Sequence, residues 1–234
     1  MKRVFLTIIL FAISSTSFCQ FQLGIKTGYN WFKILQSDNY YHPSSFSYDK
    51  SSIPISVFVC QRNHLVNLSF ELEFLNRSYS VSEYWGGLGS GGLDLYSIDS
   101  YSLNAIIEPQ FTFGRKVKFF VFPGLSIGIP LFSTINGTVK KYGSPQPIKI
   151  DTLKGSAKNY IPKIEFCAIV GIGVDIPLNK NLMITIQNIF SISLIPTKSK
   201  WASQSYRFIQ NKLEVGLLYQ FGNKRKIEKS SQKR

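Results

Sequence analysis

The sequence predicts an all-β protein, an eight-stranded antiparallel up-and-down transmembrane β-barrel. Three observations predict it. An export signal is followed by no apolar run long enough to cross a bilayer as a helix. Apolar and polar residues alternate with period two through eight segments. The connections between those segments alternate in length.

The export signal occupies residues 1–19. Lys2 and Arg3 precede the apolar run 4–13, and Ser14, Ser15, Thr16 and Ser17 follow it. That is a charged start, a short hydrophobic stretch and a small-residue cleavage region. Ser17 and Cys19 stand three and one residues before a cut at Gln20. The rival is a lipoprotein signal with Cys19 acylated. Phe18 argues against it, because that signal wants a small residue before the cysteine. The expected division is therefore signal 1–19, barrel 20–222 and a basic tail 223–234.

Composition excludes several classes. Aromatics make up 15% of the 234 residues, too much apolar material for a disordered chain. Three cysteines exclude a disulfide scaffold, and two histidines argue against a metal-dependent or histidine-based enzyme.

The eight segments are expected at about 21–33, 53–61, 65–79, 101–113, 117–132, 160–177, 182–196 and 208–222. The third carries Val66, Leu68, Phe70, Leu72 and Phe74 on one face, and Asn67, Ser69, Glu71, Glu73 and Arg77 on the other. The fourth sets Leu103, Ala105, Ile107 and Phe111 against Ser102, Asn104, Glu108 and Gln110. The eighth sets Leu213, Val215, Leu217, Tyr219 and Phe221 against Gln210, Lys212, Glu214 and Gln220. Segments five and six are nearly continuously apolar, with Gly124, Ser126, Gly128, Gly171 and Gly173 at the inner positions. Small inner residues let an eight-stranded barrel close around larger groups in its lumen.

The connections at 62–64, 114–116 and 179–181 are short, and those at 34–52, 80–100, 133–159 and 197–207 are long. Outer-membrane barrels sort their loops in this way, with short periplasmic turns and long outer loops. Both mature termini then fall on the periplasmic side.

The polar face is expected to line the lumen. Its charges are Lys26, Glu71, Glu73, Arg77, Glu108, Lys163, Glu165, Lys212 and Glu214, joined by Lys118 and Asp175. Charges in so narrow a space must pair, because an unpaired buried ion costs several kcal/mol. Counting along the strands puts Lys26, Glu71, Glu108 and Glu214 at one lower level, with Glu73 and Lys212 slightly above it. Arg77, Lys163 and Glu165 form an upper level. In the last strand, Glu214, Gly216, Tyr219 and Phe221 have the spacing of a barrel-assembly signal.

A resemblance can be named on these residues. The stretch Phe21-Gln22-Leu23-Gly24-Ile25-Lys26-Thr27-Gly28-Tyr29-Asn30 resembles the opening strand of the outer-membrane β-barrel domain family of Bacteroidetes, the PorT-like group. Tyr101-Ser102-Leu103-Asn104-Ala105-Ile106-Ile107-Glu108-Pro109 resembles its fourth strand, and Phe122-Pro123-Gly124-Leu125-Ser126-Ile127-Gly128 its fifth. Residues 213–221 resemble its closing strand. The resemblance implies an outer-membrane barrel. One branch of the family is tied to protein secretion and gliding, which would make secretion-apparatus proteins partners. The first strand is less glycine-rich than the family pattern, and the basic tail extends past the usual end.

Other chemistry-bearing candidates have plain readings. Gly87-Leu88-Gly89-Ser90-Gly91-Gly92 matches a dinucleotide fingerprint but lacks the strand-to-helix setting, so it reads as a loop. His42 and His64 fall at opposite ends of the barrel. Cys60 and Cys167 fall on opposite strands, too far apart for a disulfide. Trp31, Trp85 and Trp201 read as interfacial residues. Basic residues in the third and fourth long loops (Lys140, Lys141, Lys149, Lys154, Lys158, Lys198, Lys200, Arg207) suit lipopolysaccharide phosphates, and the tail suits anionic headgroups. Nucleic acid is not expected, nor is any cofactor. The expected role is structural or interactive, served by outer-membrane lipids and the barrel assembly machinery. A lipid-modifying barrel enzyme and a soluble lipocalin-like binder are the alternatives.

Overall fold

A computed structural model describes residues 20–36, 44–50, 52–62, 66–87, 90–143, 149–158, 161–198 and 205–221. The expected signal (1–19), the expected tail (223–234), the short connection 63–65 with His64, His42 and Trp201 lie outside the described residues.

Eleven strands are described: β1 (Gln20–Gln36), β2 (Ser44–Lys50), β3 (Ile55–Arg62), β4 (Val66–Gly87), β5 (Ser90–Phe113), β6 (Lys118–Gly143), β7 (Lys149–Ser156), β8 (Glu165–Pro177), β9 (Leu182–Ser193), β10 (Thr197–Lys198) and β11 (Ser205–Phe221). Eight of them, β1, β3, β4, β5, β6, β8, β9 and β11, pair antiparallel in that order, and β11 pairs back onto β1. The ring is closed, so it presents no open edge along the barrel. All eight segments read from the sequence are in it.

The stagger of the ring fixes its shape. From Leu23 the register runs through Val59, Phe70, Ile107, Leu125, Ala168, Ile192 and Ile209, and returns to β1 at Lys33. That is a shift of ten residues over eight strands. Such a shift tilts the strands by about 40°. Tilt also means that residues at one height are not register partners. Lys26 pairs in register with Ser56, and Ser56 with Glu73. Its side chain nevertheless reaches Glu71.

The distribution of side chains is inside-out. Among the described residues 28 polar or charged side chains are buried against 18 hydrophobic ones, while 40 large hydrophobics are exposed. On β1 the outward series runs Leu23, Ile25, Tyr29 and Trp31. The span from Phe21 to Trp31 is about 33 Å along the strand, or about 25 Å across after tilting, the height of a lipid-facing band.

Two short turns among the described residues lie at one rim. Gly114 takes φ = 104° between β5 and β6, a left-handed conformation open to glycine at little cost. Between β8 and β9, Asn179 Oδ1 accepts from the backbone N–H groups of Asn181 and Leu182, both at 2.9 Å. The first and last strands meet at this same rim, where Phe21 pairs with Phe221.

Beyond the other rim the sequence reading needs correction. The stretches 80–100 and 133–159 are largely strand rather than loop. β4 and β5 stay paired up to Gly87 and Ser90. β6 runs on to Gly143, flanked by β5 and β7, and β2 adds to β4. A five-stranded sheet, β2-β4-β5-β6-β7, thus extends one wall of the barrel. Of the glycine fingerprint, Gly87, Ser90, Gly91 and Gly92 belong to the β4–β5 ladder, with Gly87 opposite Ser90, while Leu88 and Gly89 lie outside the described residues. The Trp85 backbone pairs with Gly92 in this extension.

Candidate functional site: the interior of the barrel

Period-two strands send every second side chain inward, and the interior is layered from rim to rim. At the short-turn end Phe58, Cys60, Met183 and Leu218 form an apolar cluster. Lys118 lies opposite Asp175 in register at this end.

The next layers are ionic. Lys26 Nζ donates to Glu71 Oε2 and lies 3.7 Å from Glu214 Oε2. Lys212 Nζ donates to Glu73 Oε2 and lies 3.7 Å from Glu214 Oε1. Glu214 therefore bridges the two ammonium groups. Neutral amides complete the set: Asn104 Nδ2 donates to Glu73 Oε1 and Gln187 Nε2 to Glu214 Oε2, each at 2.8 Å. The Lys26 ammonium also sits 4.6 Å from the Phe58 ring centroid. Glu108 faces this cluster without an ion pair among the described residues. Gln110 Nε2 reaches its Oε2 at 3.5 Å, and its Oε1 accepts no hydrogen bond. All six charged side chains are buried. Carboxylate oxygens of Glu71, Glu73 and Glu214 lie within 4.8 Å of one another, a spacing that could hold a metal ion. The two lysines already supply the cations at that place.

The opposite wall is apolar. Ile106, Phe120, Phe122, Ile169 and Ile189 form one buried cluster. Its rings fit because β8 carries no side chain behind them. A Cβ on Gly171 would lie 2.2 Å from Phe122 Cζ, and one on Gly173 2.3 Å from Phe120 Cζ.

Above both walls Arg77 donates to Glu165 Oε2. Glu165 Oε1 accepts from Ser193 Oγ at 3.0 Å and from Cys167 Sγ at 3.5 Å. The guanidinium lies 5.3 Å from the Phe208 ring. Over it Phe32, Tyr79 and Phe208 meet edge to face, with centroids 5.8–6.4 Å apart. Ala157 is buried against them, held by its N–H to Ser133 O at 3.1 Å. A cavity of about 20 Å³ remains between Arg77, Glu165, Ile161 and Pro162, enough for one water.

The solved structures to which this chain is similar include small outer-membrane β-barrels. Neisserial surface protein A matches with a TM-score of 0.46 at 10% identity, covering 86% of this chain and 97% of that one. OprG from Pseudomonas aeruginosa gives 0.45 at 10% identity, covering 89% and 99%. Ail of Yersinia pestis, in a complex with the heparin analogue sucrose octasulfate, gives 0.41 at 11% identity, covering 86% and 99%. No protein-family model matches the chain, and no curated protein matches it. The PorT-like resemblance therefore rests on the residues quoted for it.

The structure brings together Lys26, Glu71, Glu73, Lys212 and Glu214, sets Glu108 beside them, and joins Arg77 to Glu165. Lys163 does not belong. It is exposed and precedes β8, whose first residue is Glu165. Parity along the chain put it inside, but the ladder has not yet begun there. Gly216 is inward, and a Cβ on it would lie 2.5 Å from Lys26 Cγ, so its bareness makes room for the lysine stem. Tyr219 and Phe221 are exposed at the short-turn rim, with ring centroids 4.9 Å apart. No disulfide joins the buried Cys60 and Cys167. Sequence reasoning missed Gln187 as a partner of Glu214, and it missed the apolar wall. The signal for that wall was the loss of alternation in segments five and six.

Proposed function

We propose that this chain is a small outer-membrane barrel, shut inside by its own side chains, whose work is done on its outer surface and extended sheet. It is not an enzyme on this reading. Its role is structural or interactive, and secretion-apparatus proteins are the partners the PorT-like resemblance suggests. Both mature termini are periplasmic, with the barrel assembly machinery acting on the Tyr219–Phe221 end.

The observation that carries the reading is the inverted distribution of side chains. A closed ring with ion pairs inside and an apolar belt outside suits lipid around it. A soluble binder would reverse that distribution, and a small-ligand cavity would need a few hundred Å³ of room.

The experiment is fractionation followed by capture. The protein should sediment with outer membranes, begin at Gln20 and migrate faster unheated than boiled. Recovery in a salt-washed soluble fraction would overturn the location. Pull-down of the folded barrel from native membranes should return protein partners. Intrinsic lipid turnover by the pure protein would overturn the non-enzymatic role. Replacing Tyr219 and Phe221 together with Ala should sharply lower the inserted yield. Unchanged insertion would make their spacing accidental.

A further inference from the structure

The outer face of β9, β11 and β1 differs from the rest of the belt. Two asparagines interrupt it. Asn188 on β9 donates through Nδ2 to Asn211 Oδ1 on β11 at 2.9 Å, and to Lys212 O at 3.3 Å. Ile186 and Leu213 flank the pair on one side, and Phe190 and Ile209 on the other. The Asn211 NH₂ and the Asn188 carbonyl oxygen are left without a hydrogen bond among the described residues. In hydrocarbon an unsatisfied amide costs several kcal/mol, so a donor and an acceptor side by side at this depth call for a partner.

The surroundings say what the partner carries. Asn211 is paired in register with Trp31, whose ring meets Tyr29 edge to face at 4.5 Å between centroids. Farther from the short-turn rim stand Lys33, one outward position beyond Trp31 on β1, and Arg207, two beyond Asn211 on β11, both exposed. Lys33 is opposite Ile209, and Arg207 opposite Leu35, so the two cations are diagonal neighbours on one face. Neither forms an ion pair among the described residues.

We infer that this face binds an anionic N-acyl lipid of the outer leaflet, a phosphorylated glucosamine lipid of the lipid A type. The phosphate lies between Lys33 and Arg207, the sugar stands on Trp31, and an amide-linked acyl chain pairs its C=O and N–H with Asn211 and Asn188. A diacyl phospholipid offers a phosphate and ester carbonyls but no N–H for Asn188. The amide is what separates the two lipid classes. This inference rests on the outer-membrane reading, which orients the face toward the outer leaflet.

The test is native mass spectrometry of the folded barrel, released from micelles containing equal amounts of lipid A and phosphatidylglycerol. Wild type should retain lipid A about tenfold over phosphatidylglycerol, a difference of about 1.4 kcal/mol. Asn188→Leu with Asn211→Leu should fold as well as wild type and lose that preference. Lys33→Gln with Arg207→Gln should stop distinguishing lipid A from its dephosphorylated form. Equal retention of the two lipids by wild type, or an unchanged preference in the asparagine variant, would overturn the proposal. Failure of the wild-type chain to insert would instead count against the membrane reading beneath it.

Discussion

The two walls of the lumen solve one packing problem in opposite ways. On β1, β4 and β11, long charged side chains fill the space and satisfy one another. Lys26 and Lys212 stand among Glu71, Glu73 and Glu214. On β6 and β8, rings fill it, and glycines make room for them. The first wall is held by complementarity of charge, so it fails when one partner is removed. The second is held by volume, so it fails when an atom is added.

The largest effect should come from the charged wall. Lys26→Met removes both ion pairs of that lysine and leaves Glu71, Glu108 and Glu214 facing one another. Stranding buried charges costs about 3–5 kcal/mol. We expect that loss in urea unfolding from lipid micelles at pH 7. It should shrink as pH falls toward the carboxylate range, where protonation removes the repulsion. Adding Glu71→Gln should recover much of it, because removing both charges of a pair strands less. A Lys26→Met protein of wild-type stability at pH 7 would break the charged half of the comparison.

The apolar wall should respond less. Gly171→Ala drives a methyl into the buried Phe122 ring, at 2.2–2.8 Å from three of its atoms. Overpacking of this kind costs about 1–3 kcal/mol. Shortening the ring with Phe122→Leu in the same chain should restore part of the loss. If the two changes simply add, steric contact is not what couples them.

The smallest effect is expected where the walls meet. Among the described residues Glu108 makes no ion pair, and its Oε1 accepts no hydrogen bond. Glu108→Gln keeps the shape and removes a negative charge from a layer with four carboxylates and two ammonium groups. Stability should stay within about 0.5 kcal/mol of wild type or rise, against the several kcal/mol lost on removing a paired residue. A large loss would show that Glu108 shares a cation with its neighbours.

Much of this was legible because a barrel wall obeys one period. Alternation located the eight ring strands and put Lys26, Glu71, Glu73, Glu108, Lys212 and Glu214 on the inner face. Alternation exists only where lipid faces one side. Above the belt Ser78 and Ser80 point outward where Phe70 and Phe74 do lower down, and both faces are then compatible with water. The hydrogen-bonded ladder continues to Gly87, but its signal is gone. That is why the extended sheet read as loops and Lys163 read as part of a strand. Which charge meets which was illegible for another reason. The ten-residue stagger decides it, and stagger is a property of the closed ring rather than of any segment.

On the proposed reading, paired charges and packed rings close the lumen. Single-channel recording of the refolded protein in planar bilayers tests it most directly. The wild type should insert and show no steady conductance at neutral pH, because an eight-stranded interior is just wide enough for side chains to fill. A stable open channel in the wild-type protein would contradict the account.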